Sequence, residues 1–171
     1  GVVRAPPARG RLVVKAILAF HAIDDAAAPV CISRSEFVRE LDALERAHVA
    51  VVPLEELAGS RAPAVALTFD DGFADFGSEA WPELRRRGLP ATVFVVTRAA
   101  GTTNAWGGET CATVPVRPLL GWPDIERLSR EGVTFGSHTA THRALPGLPD
   151  HEIAAELGEA RERLAAATGR D

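Results

Sequence analysis

Short apolar runs alternate with amphipathic stretches along this chain, and that alternation is what most narrows the folds open to it. Residues 12–20 (LVVKAILAF), 64–69 (AVALTF) and 91–96 (ATVFVV) are apolar, partly β-branched and short, and read as buried strands. Residues 49–52 and 133–135 predict two shorter strands. Between them lie helix signals. Ser33-Arg34-Ser35-Glu36 has capping-box spacing, and Phe37, Leu41 and Leu44 then share one helical face up to about His48. Pro53 opens a brief helix to residue 57, and Gly88 stops one over 78–87. Residues 123–130 predict another, with proline in its first turn. A last helix over 150–167 places Ile153, Leu157, Ala160 and Leu164 on one face. Residues 97–121 form a long loop rich in Gly, Thr and Pro, of the kind that is functional or mobile.

Strand–helix alternation with short joins predicts parallel strands covered by helices, as an α/β barrel or a doubly wound sheet. Both architectures collect chemistry at the C-terminal ends of their strands. His21 follows strand one, Asp70 and Asp71 follow strand three, and His138 follows strand five. No internal repeat or low-complexity segment interrupts the pattern. The 171 residues suit one domain, read as 11–171 after an N-terminal extension or linker over 1–10.

The totals remove some functions. Asp and Glu outnumber Lys and Arg by 23 to 19, a net charge of −4 that offers nucleic acid no footprint. The one basic run, Arg85-Arg86-Arg87, suits a solvated helix C-terminus. No apolar run approaches the ~20 residues that cross a membrane. Cys31 and Cys111 lack CxxC spacing, which leaves their redox state open. The chain contains no methionine, so a removed leader or a piece of a longer protein is expected.

The chemistry is in two segments. Asp70 and Asp71 end an apolar strand before Gly72, and adjacent carboxylates repel unless a cation or a raised pKa relieves them. An Asp-Asp-Gly triplet is equally a plain turn. His138 and His142 stand four residues apart after Gly136-Ser137, a spacing that a helical or an irregular turn can bring to one metal. His21 is placed to line the same rim, whereas His48 reads as capping or solvated and His151 as surface. One Asp and two His leave coordination positions open, as catalytic metals require. Attack of an activated water on an acyl carbon is the chemistry implied.

The segments Thr68-Phe-Asp-Asp-Gly72 and Ser137-His-Thr-Ala-Thr-His142 resemble the first two motifs of the polysaccharide deacetylases, the NodB-homology or carbohydrate esterase family 4 group. Phe20-His21, the Asn104-x-Trp106 loop, the Leu120 to Ile125 segment and the helix from Glu156 to Gly169 extend the likeness over about residues 12–169. The resemblance implies a distorted, seven-stranded (β/α) barrel. It implies Asp70 as catalytic base, with Asp71, His138 and His142 as ligands of a divalent metal, usually zinc, with cobalt or manganese as alternatives. The substrate implied is an N- or O-acetylated glycan, met at the cell envelope or outside the cell. Ser137 and Thr139 are expected to hydrogen-bond within their own turn.

The family's later motifs, including a general-acid histidine, have no counterpart before Asp171. With about five strands visible, the barrel is expected to be incomplete, and the 171 residues alone feebly active and prone to aggregate. Three other readings compete: hydrolysis of a cyclic amide or imide, a non-haem iron oxygenase built on the same His-His-carboxylate set, and glycan binding without turnover. An oxygenase has no use for the second aspartate.

Overall fold

The computed structural model describes residues 14–106 and 114–170. The expected linker over 1–10, residues 12 and 13 of strand one, and Cys111 lie outside the described residues. In chain order the elements are β1 (Lys15–Phe20), β2 (Ala22–Ile23), β3 (Cys31–Ile32), α1 (Arg34–Arg46), β4 (Ala50–Val51), α2 (Leu54–Leu57) and β5 (Ala64–Phe69). A π-helical turn (Phe76–Ala80), α3 (Trp81–Arg87), β6 (Thr92–Val95), α4 (Trp122–Arg130), β7 (Thr134–Ser137) and α5 (Asp150–Thr168) follow.

Five parallel strands make the main sheet, in the order β1-β5-β6-β7 with β4 also on β5. β1 lies along the whole of β5, from Lys15 opposite Ala64 to Phe20 opposite Phe69. The other edge of β5 is shared: β4 takes Ala64 and Val65 at its start, and β6 takes Thr68 and Phe69 at its end. Flanked on both edges, β5 is buried at all six residues. This is the alternating α/β fold that the sequence predicts. Among the described residues β1 and β7 each pair on one edge only, so the sheet stays open and does not form the closed seven-stranded barrel.

The central aromatic packing explains which strand ends meet. Phe20 from β1 stacks on Phe69 from β5 at 5.3 Å between ring centroids, Phe37 from α1 meets Phe20 edge-on, and Phe76 meets Phe69 at 4.7 Å. The rim residues that follow Phe20 and Phe69 are thereby held side by side. The predicted capping box is present: Ser33 Oγ accepts the Glu36 N–H, and the Glu36 carboxylate accepts that of Ser33. His48 and His151 are exposed, as expected.

Several expectations need correction. The predicted strand over 12–20 is not buried throughout: Val14 and Ile17 are more than half exposed, and within β1 only Phe20 is buried. β2 and β3 have no counterpart in the predicted strands, since two residues show no alternation. The predicted helix over 78–87 is a π-helical turn feeding α3. Arg87 is not solvated; it reaches Glu83 and Asp42 at 2.6 Å each, with its side chain 12% exposed. On α5 the buried face is Glu156, Ala160 and Leu164, while Leu157 is 45% exposed. An acid replaces the expected leucine on that face for a reason found at the site.

Candidate metal centre

Asp70 and Asp71 end β5, and the backbone settles how neighbours on a strand both reach the rim. Asp70 still donates its N–H to Phe20 O at 2.8 Å, as a strand residue would. Asp71 then turns to φ 68° and Gly72 to φ 77°, two successive left-handed residues that redirect the chain. A Cβ on Gly72 would meet Val95 Cγ2 at 3.3 Å, so glycine also admits β6 at close range. Asp71 is swung inward and is 8% exposed, whereas the Asp70 side chain is 26% exposed.

His138 and His142 leave the end of β7 on an irregular turn, not a helix. Thr139 and His142 have φ 66° and 63°. Left-handed backbone costs a non-glycine residue roughly 1–3 kcal/mol, and three of the four such residues among those described lie in this site. The turn is bonded from within and from α5. Ser137 Oγ accepts the Thr139 N–H at 3.2 Å and Thr139 Oγ1 accepts the His142 N–H at 2.9 Å. These are the internal bonds expected of the two hydroxyls.

The three side chains converge. Asp71 Oδ1 stands 3.4 Å from Nε2 of both His138 and His142, and one ligand atom from each residue lies within 4.8 Å of the others. Donors bound about 2.0–2.2 Å from a tetrahedral zinc stand roughly 3.4 Å apart. Asp71 Oδ1 is also buried without a hydrogen-bond partner. An orphaned carboxylate oxygen facing two imidazole nitrogens fits a divalent cation. Burial lowers the His142 pKa, with His138 and His21 adding to the effect against Asp71 and Asp70. The shift favours the neutral imidazole, the form that can ligate.

His21, at the end of β1, sits 4.0 Å from Asp70 Oδ2 through its Nε2. It lines a cavity of about 300 Å³ with Asp71, Asn104, Trp106, His138 and His142 among the other walls. All five residues singled out in the sequence are therefore brought together. Two contributors lie in segments that the resemblance covers but were assigned no role there. Trp106 tilts over His142 with ring centroids 4.4 Å apart. Glu156, from α5, accepts the N–H groups of Ala140 and Thr141 and the Thr141 hydroxyl at 2.6–3.0 Å. Its signal was an acid one turn before Ala160 and two before Leu164, on the face that packs inward.

A family model for polysaccharide deacetylase matches residues 58–171. The chain belongs to the polysaccharide deacetylase family. YxkH of Bacillus subtilis (strain 168), whose name assigns it provisionally to these deacetylases, is 26% identical over 98 residues. That match covers 57% of this chain and 30% of the relative, so the chain spans under a third of that protein's length. Among solved structures, IcaB from Ammonifex degensii superposes with a TM-score of 0.76 at 23% identity, over 91% of this chain and 70% of its own. The Streptococcus pyogenes deacetylase PplD, solved with acetate, gives 0.71 at 21% identity, over 90% and 69%. At these identities the likeness is one of fold.

Proposed function

We propose that the chain carries the metal-binding part of a hydrolase that removes acetyl groups from an acetylated glycan. The observation that carries this reading is the convergence of Asp71, His138 and His142 with a second carboxylate, Asp70, left free on the same turn. Asp71, His138 and His142 would hold the ion, zinc before cobalt or manganese by donor type. When bound, such an ion supplies Lewis acidity, drawing the pKa of water toward ~7 and polarising an acyl oxygen.

The rest falls to the chain's own residues. Asp70 takes the proton of the attacking water at its carboxylate, which requires that it stay outside the ligand set and ionised. His21 Nε2 stands 4.0 Å from that carboxylate on the same rim. Trp106, tilted over His142, gives the cavity an aromatic face on which the apolar face of a sugar ring can pack. The net charge of −4 suits a neutral or basic glycan better than a polyanion. An acetylated envelope glycan, or one outside the cell, fits this reading. No helix among the described residues is long and apolar enough to cross a membrane.

Acetate release from acetylated chito-oligosaccharides by the zinc-loaded chain tests the proposal. Asp70→Asn is expected to lower the rate by about 10²–10⁴, the range for loss of a general base. Full activity in that variant contradicts the role of Asp70. Oxygen consumption in place of acetate release would favour an oxygenase.

A further inference from the structure

The turn from His138 to His142 has no helical hydrogen bonds, yet each of its backbone N–H groups has a partner. His138 donates to Val95 O at 2.9 Å, Thr139 to Ser137 Oγ, and His142 to Thr139 Oγ1. The two in the middle, Ala140 and Thr141, both donate to Glu156 Oε2, at 3.0 and 2.9 Å. Glu156 Oε1 takes the Thr141 hydroxyl at 2.6 Å. On the other side, the Thr139 and Ala140 carbonyls accept from Thr97 and Arg98 beyond β6. One carboxylate therefore supplies every contact that α5 makes to the N–H groups of this turn.

From this geometry we infer that Glu156 is the positioning residue that holds His138 and His142 in ligating orientation. The inference rests on the metal reading above. The turn needs such a residue because Thr139 and His142 occupy left-handed backbone that they do not favour unaided. Without the carboxylate, two donors beside the buried Ala140 would lack partners, and the turn would relax toward a backbone that parts the two imidazoles. The placement is costly for simple packing. Glu156 is 8% exposed on a helix face whose other buried members are Ala160 and Leu164, where leucine would bury more apolar surface. Burial opposes its ionisation, but the bonds from Thr141 and Ala140 outweigh it and keep the carboxyl below the usual range.

Zinc affinity, measured on the full chain by competition with a chromophoric chelator, tests this alongside the melting temperature of the metal-free protein. Glu156→Ala is expected to weaken zinc binding at least tenfold, within the ~10–100-fold range for residues that orient metal ligands. Glu156→Gln keeps the shape but one acceptor oxygen, and a loss of threefold or more is expected. Leu164→Ala, buried on the same helix, controls for stability: it should lower the melting temperature and leave affinity within twofold. Cobalt in place of zinc gives a second readout, with visible bands displaced in Glu156→Gln and unchanged in Leu164→Ala. Unaltered affinity and bands in Glu156→Gln overturn the inference even if Glu156→Ala fails to fold. Equal weakening by Leu164→Ala overturns it too. A parent chain that binds no zinc overturns the metal reading and this inference together; a binding parent with indifferent Glu156 variants overturns this inference alone.

Discussion

Asp75 sits four residues past Asp71 and shows what burial does to a carboxyl without a full partner set. Burial pushes its pKa up to about 6 against the pull of the Ile23 N–H and of Arg117, with Asp24 and Glu79 pushing the same way as burial. The folded chain therefore keeps a proton that the unfolded chain releases near pH 4, so this group's contribution to stability falls as pH rises from about 4 to 6. Asp75→Asn, which cannot ionise, should gain in melting temperature relative to the parent between pH 4.5 and 7. A constant difference across that range would contradict the shifted carboxyl. At the same scale, Asp70, Asp71, His138 and His142 were legible because residue type and spacing carry the chemistry. The proposed division of labour between the two aspartates came from the family resemblance, not from the pair itself. The left-handed turn at Asp71 that sets their side chains apart is announced by no property of an Asp-Asp pair.

The elements were legible where they were long. The capping box at Ser33 and the apolar run of β5 declare themselves through local hydrogen bonding and burial. β2 and β3 did not, because two-residue strands exist only through their pairing with each other. The buried face of α5 was misjudged because apolar periodicity cannot register an acid whose partners are backbone amides 15 and 16 residues earlier. The contact between β6 and β7 is equally specific. Gly136 lies opposite Phe94, and a Cβ there would meet the Phe94 ring at 2.5 Å. Gly136→Ala should displace that ring or spread the strands, at about 1–3 kcal/mol of stability. Because His138 follows two residues later, zinc affinity should fall with it. Denaturant unfolding and chelator competition check the two effects, and a neutral outcome in both would mean that Phe94 moves freely.

Across the whole molecule, the parallel order β1-β5-β6-β7 is what turns three distant sequence segments into one rim. His21, the two aspartates and the two histidines each follow a different strand, so no local window contains the site. Strand-end placement was predictable from alternation alone, while strand order and the stacking of Phe20 on Phe69 were not, since both arise only on packing. The central claim is that Asp71, His138 and His142 form one cation site and that Asp70 stands outside it. Zinc titration of the parent chain, Asp71→Asn and Asp70→Asn tests that claim most directly. One equivalent bound by the parent and by Asp70→Asn, with binding lost in Asp71→Asn, is the predicted result. Zinc lost in Asp70→Asn and retained in Asp71→Asn would contradict it.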